Sequence, residues 1–220
     1  SIRAVCLTYI AVFKRTVSTQ PARIRPFEIL INQEKWEKYK SQLKNQRPRM
    51  QSRERQAEIQ RQNNIMIDLK VIKSSEALFL SQVNLARKPN GNWRYCIDFR
   101  LINEMSDAHS WPLPNIQHTL DRLGRKRWRY FGILDLTAGY WQAPLSEQSK
   151  KYTAFTTWMG NFEWERVPFG LKGAPSFYQK EMQQTVLREL MHTICEAYMD
   201  DIIFGGETEE EFLCNLTKIL

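Results

Sequence analysis

From about residue 71 the chain alternates apolar and polar positions in short runs separated by glycine and proline. The runs "VNLAR" and "WRYCIDF" carry the alternation typical of half-buried strands. Pro89-Asn90-Gly91 stands between them and is a strong turn signal. This stretch therefore predicts a β-hairpin, and we place the start of the compact domain near residue 71.

Helical spacing dominates other stretches. "SRERQAEIQRQNNIMIDL" predicts a helix capped by Ser52, with Ala57 and Ile65 facing the core. "PLPNIQHTLDRLG" predicts a helix opened by Pro114 and closed by Gly124.

A third helix is predicted over "APSFYQKEMQQTVLRELM", with Pro175 near its start. Apolar residues recur in it at every fourth position and predict a buried stripe: Tyr178, Met182, Val186 and Leu190. The last helix, in "TEEEFLCNLTKIL", is predicted to start at a Thr208 cap.

Two apolar runs end in acids. "RYFGILDL" predicts a buried strand that ends at Asp135, and "ICEAYMDDIIFGG" predicts strand, turn and strand around Asp200 and Asp201. Strands and helices are mixed and do not strictly alternate, which predicts an α+β fold with an antiparallel sheet.

Composition narrows the class of protein. Apolar residues make up 42% of the 220-residue chain, enough for a core. The four cysteines are widely spaced, so neither a disulfide framework nor a zinc site is expected, and we expect an intracellular protein. Of the net charge of +8, residues 1–70 hold +9. This basic lead segment indicates either a polyanionic partner or a solvated helix.

The paired acids need an explanation, because adjacent carboxylates repel each other. A hairpin tip lets Asp200 and Asp201 face one cleft, and a divalent cation between them removes the repulsion. Asp135 at its strand end is either a turn residue or a third ligand. Three carboxylates from neighbouring strands can hold two Mg²⁺ ions about 4 Å apart for in-line phosphoryl transfer.

Four segments together resemble the reverse transcriptases of gypsy-type LTR retrotransposons. "AYMDDIIFGG" resembles their catalytic hairpin, and "GILDLTAGYWQAPL" resembles their first palm motif. "ERVPFGLKGAPSFYQ" is similar to the segment that frames the incoming nucleotide, and "NLARKPNGNWRYCIDFRLIN" is similar to the fingers hairpin. All four follow the order of the family.

The resemblance implies the fingers and palm of a right-hand polymerase, with an antiparallel palm sheet and packed helices. It places fingers at about 71–107 and 143–175 and palm at about 108–142 and 176–220. Residues 1–70 are expected to form a lead segment that is partly helical or disordered. We expect the thumb to be absent and the chain to be one piece of a Pol polyprotein.

The implied activity is RNA-directed DNA polymerisation with two Mg²⁺ ions, for which Mn²⁺ can substitute. Asp135 and Asp200 would bind both metals, and Asp201 would complete the set. Tyr140 would be the steric gate that excludes a ribose 2′-OH, or otherwise a core tyrosine. Alternative functions are a weakly active nucleic-acid-binding remnant and an RNA polymerase.

The resemblance also assigns substrate contacts. Arg94 would bind the nucleotide phosphates, since a guanidinium binds phosphate oxygens in pairs. Arg87 or Lys88 would be a second phosphate contact. Phe169 would lie beside the nascent base pair, where Gly170 allows close backbone approach.

Nucleic-acid contacts are implied for a further set of residues: Asp98, Arg100, Lys172, Tyr198 and Met199. An ordinary strand salt bridge is an equal alternative for Asp98 and Arg100. The expected partners are a primed RNA or DNA template, dNTPs and the rest of the polyprotein. The expected location is the cytoplasm, in a virus-like particle, or the nucleus, without secretion.

Overall fold

The computed structural model describes residues 1–44 and 46–220. The helices are α1 Ile2–Thr8, α2 Gln33–Tyr39, α3 Arg53–Asp68, α4 Arg100–Met105, α5 Ile116–Arg125, α6 Gly139–Gln142, α7 Glu147–Lys150, α8 Ala174–Glu181 and α9 Glu209–Ile219. The strands are β1 Ile72–Ser74, β2 Ser81–Arg87, β3 Trp93–Ile97, β4 Tyr130–Asp135, β5 Phe155–Thr157, β6 Gly160–Trp164, β7 Cys195–Tyr198 and β8 Asp201–Gly206.

The chain divides into two compact units. One, here called the carboxylate unit, comprises residues 1–17, 110–139 and 175–220. The other, here called the hairpin unit, comprises residues 18–109 and 140–174. The boundary predicted near residue 71 does not coincide with a division between units, because residues 18–70 belong to the hairpin unit.

The carboxylate unit is built on an antiparallel sheet in the order β4–β8–β7. Helix α9 covers one face of it through Phe212, whose ring stacks on Phe204 of β8 at 5.1 Å. Thr208 caps α9 as predicted, because its side chain accepts from the Glu211 amide. The buried aromatic pair fixes β8 at the centre of the sheet.

One predicted core stripe is partly wrong. Tyr178 and Met182 are buried, but Val186 is 50% exposed and Leu187 is buried instead. The helix changes to π geometry over Met182–Val186, where the Leu187 amide donates to the Met182 carbonyl. A π turn holds one more residue than an α turn, so the buried position passes from Val186 to Leu187.

The hairpin unit holds a five-stranded sheet in the order β1–β6–β5–β2–β3. Strands β2 and β3 form the predicted hairpin, and Gly91 in its turn has φ of +79°. Strand β2 pairs with β5 in parallel, and the other strand pairs are antiparallel. The α+β fold class predicted from the sequence is confirmed.

Helix α3 begins after Ser52, as predicted, but it buries a different face. Ala57 and Ile65 are exposed, whereas Ile59, Asn63 and Met66 are buried. Asn63 is polar, yet its side-chain oxygen accepts from the Tyr95 hydroxyl of β3 at 2.7 Å. That bond makes burial of the amide possible and moves the core face away from Ala57 and Ile65.

Helix α5 also differs slightly from its predicted start. Asn115 caps it by accepting from the His118 amide at 3.1 Å, so the helix begins at Ile116 and not at Pro114. Gly124 lies in its last turn. Within the described part of the chain, no helix is long and apolar enough to cross a membrane.

Candidate active site

The candidate site contains two acids that are cross-strand partners in the sheet of the carboxylate unit. In the antiparallel pairing of β4 with β8, Asp135 stands directly opposite Asp201. Residues opposite each other in such a pair point to the same sheet face, with Cα atoms about 4.5–5.5 Å apart. Both side chains are exposed. The two carboxylates therefore share one accessible edge of the sheet.

The third acid, Asp200, lies in the turn between β7 and β8. Its carbonyl accepts from the Leu136 amide at 3.0 Å, which ties the turn to the residue after Asp135. Burial raises the pKa of Asp200, and the charges of Asp201 and Asp135 raise it further against an opposing backbone hydrogen bond. The three carboxylates are thus near enough to repel one another.

Gly139 lets the chain pass close to this turn. A Cβ atom at residue 139 would lie 2.8 Å from the Cβ of Asp200 and 2.8 Å from the hydroxyl oxygen of Tyr178. Both distances are shorter than real Cβ contacts, and Tyr178 is buried. Only glycine fits here without moving the turn that contains Asp200.

Gln179 holds the same turn and was not found from the sequence. Its fully buried side chain donates to the Ala197 carbonyl at 3.0 Å and accepts from the Met199 amide at 2.7 Å. Met199 has φ of +54°, a backbone conformation that few non-glycine residues adopt. The signal available was the segment "ERVPFGLKGAPSFYQ", which resembles the family and ends at Gln179, together with its spacing of one turn before buried Met182.

In the hairpin unit, Tyr140 and Phe169 form an edge-to-face aromatic pair with ring centroids 5.2 Å apart. The Trp141 ring lies 6.3 Å from that of Phe169. Tyr140 is half-buried and Phe169 is 47% exposed. Because the two rings are nearly perpendicular, it is the exposed ring of Phe169 that offers an apolar surface of the kind that packs against a planar ring or a sugar.

These features agree with what known proteins show. The model of the reverse transcriptase (RNA-dependent DNA polymerase) family matches residues 86–220. The chain belongs to the reverse transcriptase family. The match includes Asp135, Asp200 and Asp201.

The relatives of this reverse transcriptase chain are polyproteins. The retrovirus-related Pol polyprotein from transposon 412 of Drosophila melanogaster is 37% identical over 178 residues, covering 78% of this chain and 14% of the relative. The enzymatic polyprotein of cauliflower mosaic virus (strain NY8153) is 33% identical over 167 residues, covering 74% and 24%. The predicted kinship with retrotransposon Pol polyproteins is confirmed, and the gypsy type stays a prediction.

Solved structures agree on the fold. A foamy viral protease–reverse transcriptase in complex with an RNA/DNA hybrid superimposes with a TM-score of 0.81 at 21% identity, covering 99% of this chain and 28% of that one. A second foamy viral structure, in complex with double-stranded DNA, gives a TM-score of 0.78 at 21% identity, covering 99% and 37%. The fingers-and-palm fold expected from the resemblance is confirmed.

Reverse transcriptases generally use divalent metal ions. Among the described residues, no group of three or more His, Cys, Asp or Glu side chains is already arranged to hold a metal ion. Asp135, Asp200 and Asp201 of this reverse transcriptase are nevertheless neighbours through the β4–β8 register and the turn before β8.

The predicted phosphate contacts of the reverse transcriptase lie on two faces of the β2–β3 hairpin. Arg87 stands opposite Trp93 in the pairing, and Arg94 stands opposite Ala86. Arg87 stacks on the Trp93 ring at 4.0 Å and donates to Glu54 of α3 at 2.9 Å. Since successive side chains alternate between faces, Arg87 and Arg94 point to opposite sides of the hairpin.

Lys88 lies in the hairpin turn, where its amide donates to the Asn92 carbonyl at 2.7 Å. Its side chain lines a cavity of about 620 Å³ together with Trp93, Trp141 and residues of α3. The structure thus places Lys88 on an open cleft while Arg87 is engaged by Glu54. Both remain predictions as phosphate contacts.

Asn103 organises the segment that holds Gly170 and Lys172. Its side chain donates to the Gly170 carbonyl at 2.8 Å and accepts from the Lys172 amide at 2.8 Å. Gly170 has φ of +94°, and the Lys172 ammonium donates to the Ser106 carbonyl at 3.2 Å. The sequence analysis assigned Asn103 no role, although it is the last residue of the segment "NLARKPNGNWRYCIDFRLIN" that resembles the fingers hairpin.

Asp98 and Arg100 form an ion pair with each other, which is the alternative that the sequence analysis gave to a nucleic-acid contact. Two guanidinium nitrogens of Arg100 donate to the Asp98 carboxylate at 2.8 and 2.7 Å, and Arg49 lies 3.5 Å away. The bond from Arg100 lowers the pKa of Asp98 despite partial burial. Arg100 is 85% exposed in its side chain, so the pair leaves it open to a further partner.

Tyr198 and Met199 border the acids directly. Tyr198 of β7 stands opposite Asp201 of β8, so both side chains lie on one sheet face. Met199 occupies the turn that Gln179 holds. The structure therefore places these two predicted nucleic-acid contacts beside the carboxylates.

Proposed function

We propose that this chain forms the fingers and palm of an RNA-directed DNA polymerase that adds dNTPs to a primer 3′-OH. The observation that carries the proposal is the register that sets Asp135 opposite Asp201, with Asp200 in the adjoining turn. In the proposal the fingers are about 71–107 and 143–175, and the palm is about 108–142 and 176–220.

The donor set fits divalent cations, and we propose two Mg²⁺ ions, with Mn²⁺ as a substitute. Three carboxylates supply hard oxygen ligands of the kind that Mg²⁺ takes. The raised pKa of Asp200, caused by burial and then by the neighbouring acids, indicates negative charge that a cation would offset. Bound there, two ions would activate the 3′-OH and stabilise the leaving pyrophosphate.

The chain's own residues then position the reactants. Asp135 and Asp200 would hold both ions, with Asp201 completing the set. Tyr140 and Phe169 would pack against the sugar and base of the incoming dNTP, so that Tyr140 excludes a ribose 2′-OH.

Phosphate and template contacts complete the proposal. Arg94, with Arg87 or Lys88, would bind the triphosphate. A primed RNA or DNA template would be contacted by the residues predicted for it: Asp98, Arg100, Lys172, Tyr198 and Met199. The foamy viral structures with bound hybrid and duplex support a nucleic-acid partner of this kind. We place the activity inside a Pol polyprotein, in the cytoplasm or nucleus of the cell.

Primer extension tests the proposal. We would compare the 220-residue chain, and the longest reading frame that contains it, with their Asp200→Asn variants, using Mg²⁺, dNTPs and a primed RNA template. We expect extension by the parent proteins and near-background extension by Asp200→Asn. Asp121→Asn, which alters an exposed acid on α5, is the control and should extend like the parent. Parent-like extension by Asp200→Asn would refute the assignment.

A further inference from the structure

A second acid of the carboxylate unit is buried, and the proposed chemistry does not use it. Glu196 lies on β7, is 1% exposed and stands opposite Ile203 of β8. It is four residues before Asp200 on the same strand and turn. A buried carboxylate needs partners, because desolvation strongly disfavours its charge.

Glu196 has two partners from outside its strand. Arg122 of α5 donates from two guanidinium nitrogens to its two oxygens, at 3.0 and 2.9 Å. His192 approaches the second oxygen through Nδ1 at 2.9 Å. Although burial alone would raise the pKa of Glu196, the bonds from Arg122 and His192 lower it, so the group is ionised at neutral pH.

Helix α5 holds the turn before β7 at a second place. The Lys126 ammonium, just past the helix end, donates to the backbone carbonyls of His192 and Thr193. His192 has φ of +65°, so its backbone conformation needs such support. Helix α5 and the residue after it therefore contact the β7 segment at two places. Lys126 binds the turn before β7, and Arg122 binds Glu196, the second residue of β7.

Strand β7 is an edge strand of the three-stranded sheet, with β8 on one side only. Its other side depends on contacts from α8, through Gln179, and from α5, through Arg122. Buried ion pairs contribute little net stability compared with apolar packing, and their best-attested use is to fix one arrangement among several. Asp200 follows β7 directly, so its position in the proposed site depends on a fixed register of β7.

We propose that Arg122 and His192 are positioning residues of the catalytic hairpin, acting through the Glu196 carboxylate to hold β7 against α5. This inference rests on the proposed function for its catalytic consequence. Its structural part is that the contacts of Glu196 with Arg122 and His192, here called the Glu196 clamp, order residues 195–204. This part can be tested without measuring DNA synthesis.

The test uses three variants: Arg122→Gln, Glu196→Gln and the double variant. Arg122→Gln leaves a buried carboxylate without its main partner, whereas Glu196→Gln leaves a guanidinium that solvent can reach. We therefore expect Arg122→Gln to lower kcat for dNTP addition by about tenfold or more, with KM for dNTP within about twofold. The double variant should recover to within about threefold of the parent, because neither charge remains.

Hydrogen–deuterium exchange provides the second readout. We expect Arg122→Gln to raise exchange in the peptide covering residues 195–204 while the hairpin unit stays protected. Glu37→Gln, which breaks the exposed ion pair between Glu37 of α2 and Lys40, is the control and should change neither exchange in 195–204 nor kcat.

Three outcomes would overturn the inference. They are unchanged exchange over 195–204 in Arg122→Gln, loss of protection throughout the chain, and a double variant no better than Arg122→Gln. If the parent protein extends no primer, the proposed function fails. The exchange measurement still decides whether the Glu196 clamp orders residues 195–204 of β7 and β8.

Discussion

Gln179→Met removes the two hydrogen bonds that hold the turn containing Asp200 and approximately keeps the side-chain volume. The Ala197 carbonyl and the Met199 amide would lose their partner at a position that is 0% exposed, so water cannot replace it. An orphaned buried group costs about 1–3 kcal/mol, and two therefore cost about 2–6 kcal/mol. The freed Met199 would also leave its φ of +54°, which costs about 1–2 kcal/mol to maintain.

Equilibrium denaturation in urea measures the loss of unfolding free energy, and primer extension measures the effect on the proposed polymerase activity. Gln179→Glu separates hydrogen bonding from volume, because it keeps an acceptor for Met199 but turns an oxygen toward the Ala197 carbonyl. We expect it to be at least as damaging. The control is Gln184→Met, at an exposed position in the π turn. A Gln179→Met protein within about 0.5 kcal/mol of the parent, with extension within twofold, would refute the reasoning.

Four further outcomes are expected. Gly139→Ala should cost about 1–3 kcal/mol of unfolding free energy and reduce primer extension, because its Cβ would lie 2.8 Å from the Cβ of Asp200. Urea denaturation and primer extension measure the two effects, and a variant that matches the parent in both would contradict the close approach. Tyr140→Ala should increase rNTP incorporation relative to dNTP, and unchanged sugar discrimination in single-nucleotide addition would remove the gate assignment. The folded-state pKa of Glu196 is lowered, so its contribution to stability is present above the unfolded pKa and is lost as the pH falls through the folded pKa; urea midpoints of the parent should drop in that acidic window, and those of Glu196→Gln should drop less. Added salt should weaken binding of a primed duplex, measured by fluorescence anisotropy, and a flat salt response would exclude phosphate contacts.

The sequence predicted the elements that carry the acids, because each had a local signal. Asp135 follows an apolar run, and Asp200 and Asp201 interrupt another, so strand ends and a turn were expected there. The sequence predicted that the three acids come from neighbouring strands, but it did not predict that Asp135 stands opposite Asp201, because no local pattern fixes the register between distant strands. The structure supplied that register.

Other parts of the site could not be predicted, because they depend on single polar side chains and on backbone geometry. Gln179 and Asn103 act through amides whose partners are backbone groups of distant segments. The π turn at Met182–Val186 depends on how α8 packs and leaves no periodicity in the residues. Arg87 and Arg94 point to opposite faces of the β2–β3 hairpin because Arg94 pairs with Ala86, the neighbour of Arg87. This follows only once the register of the hairpin is known.

The pairing of β4 with β8 has a kinetic consequence. Asp200 and Asp201 come together as soon as a local hairpin closes, but Asp135 joins them only when a long intervening loop has been ordered. Closing such a loop is entropically slow, so non-local strand pairing tends to govern folding rates. Affinity for metal at the proposed site should therefore emerge late during refolding, and its time course would report completion of the sheet rather than collapse of the chain.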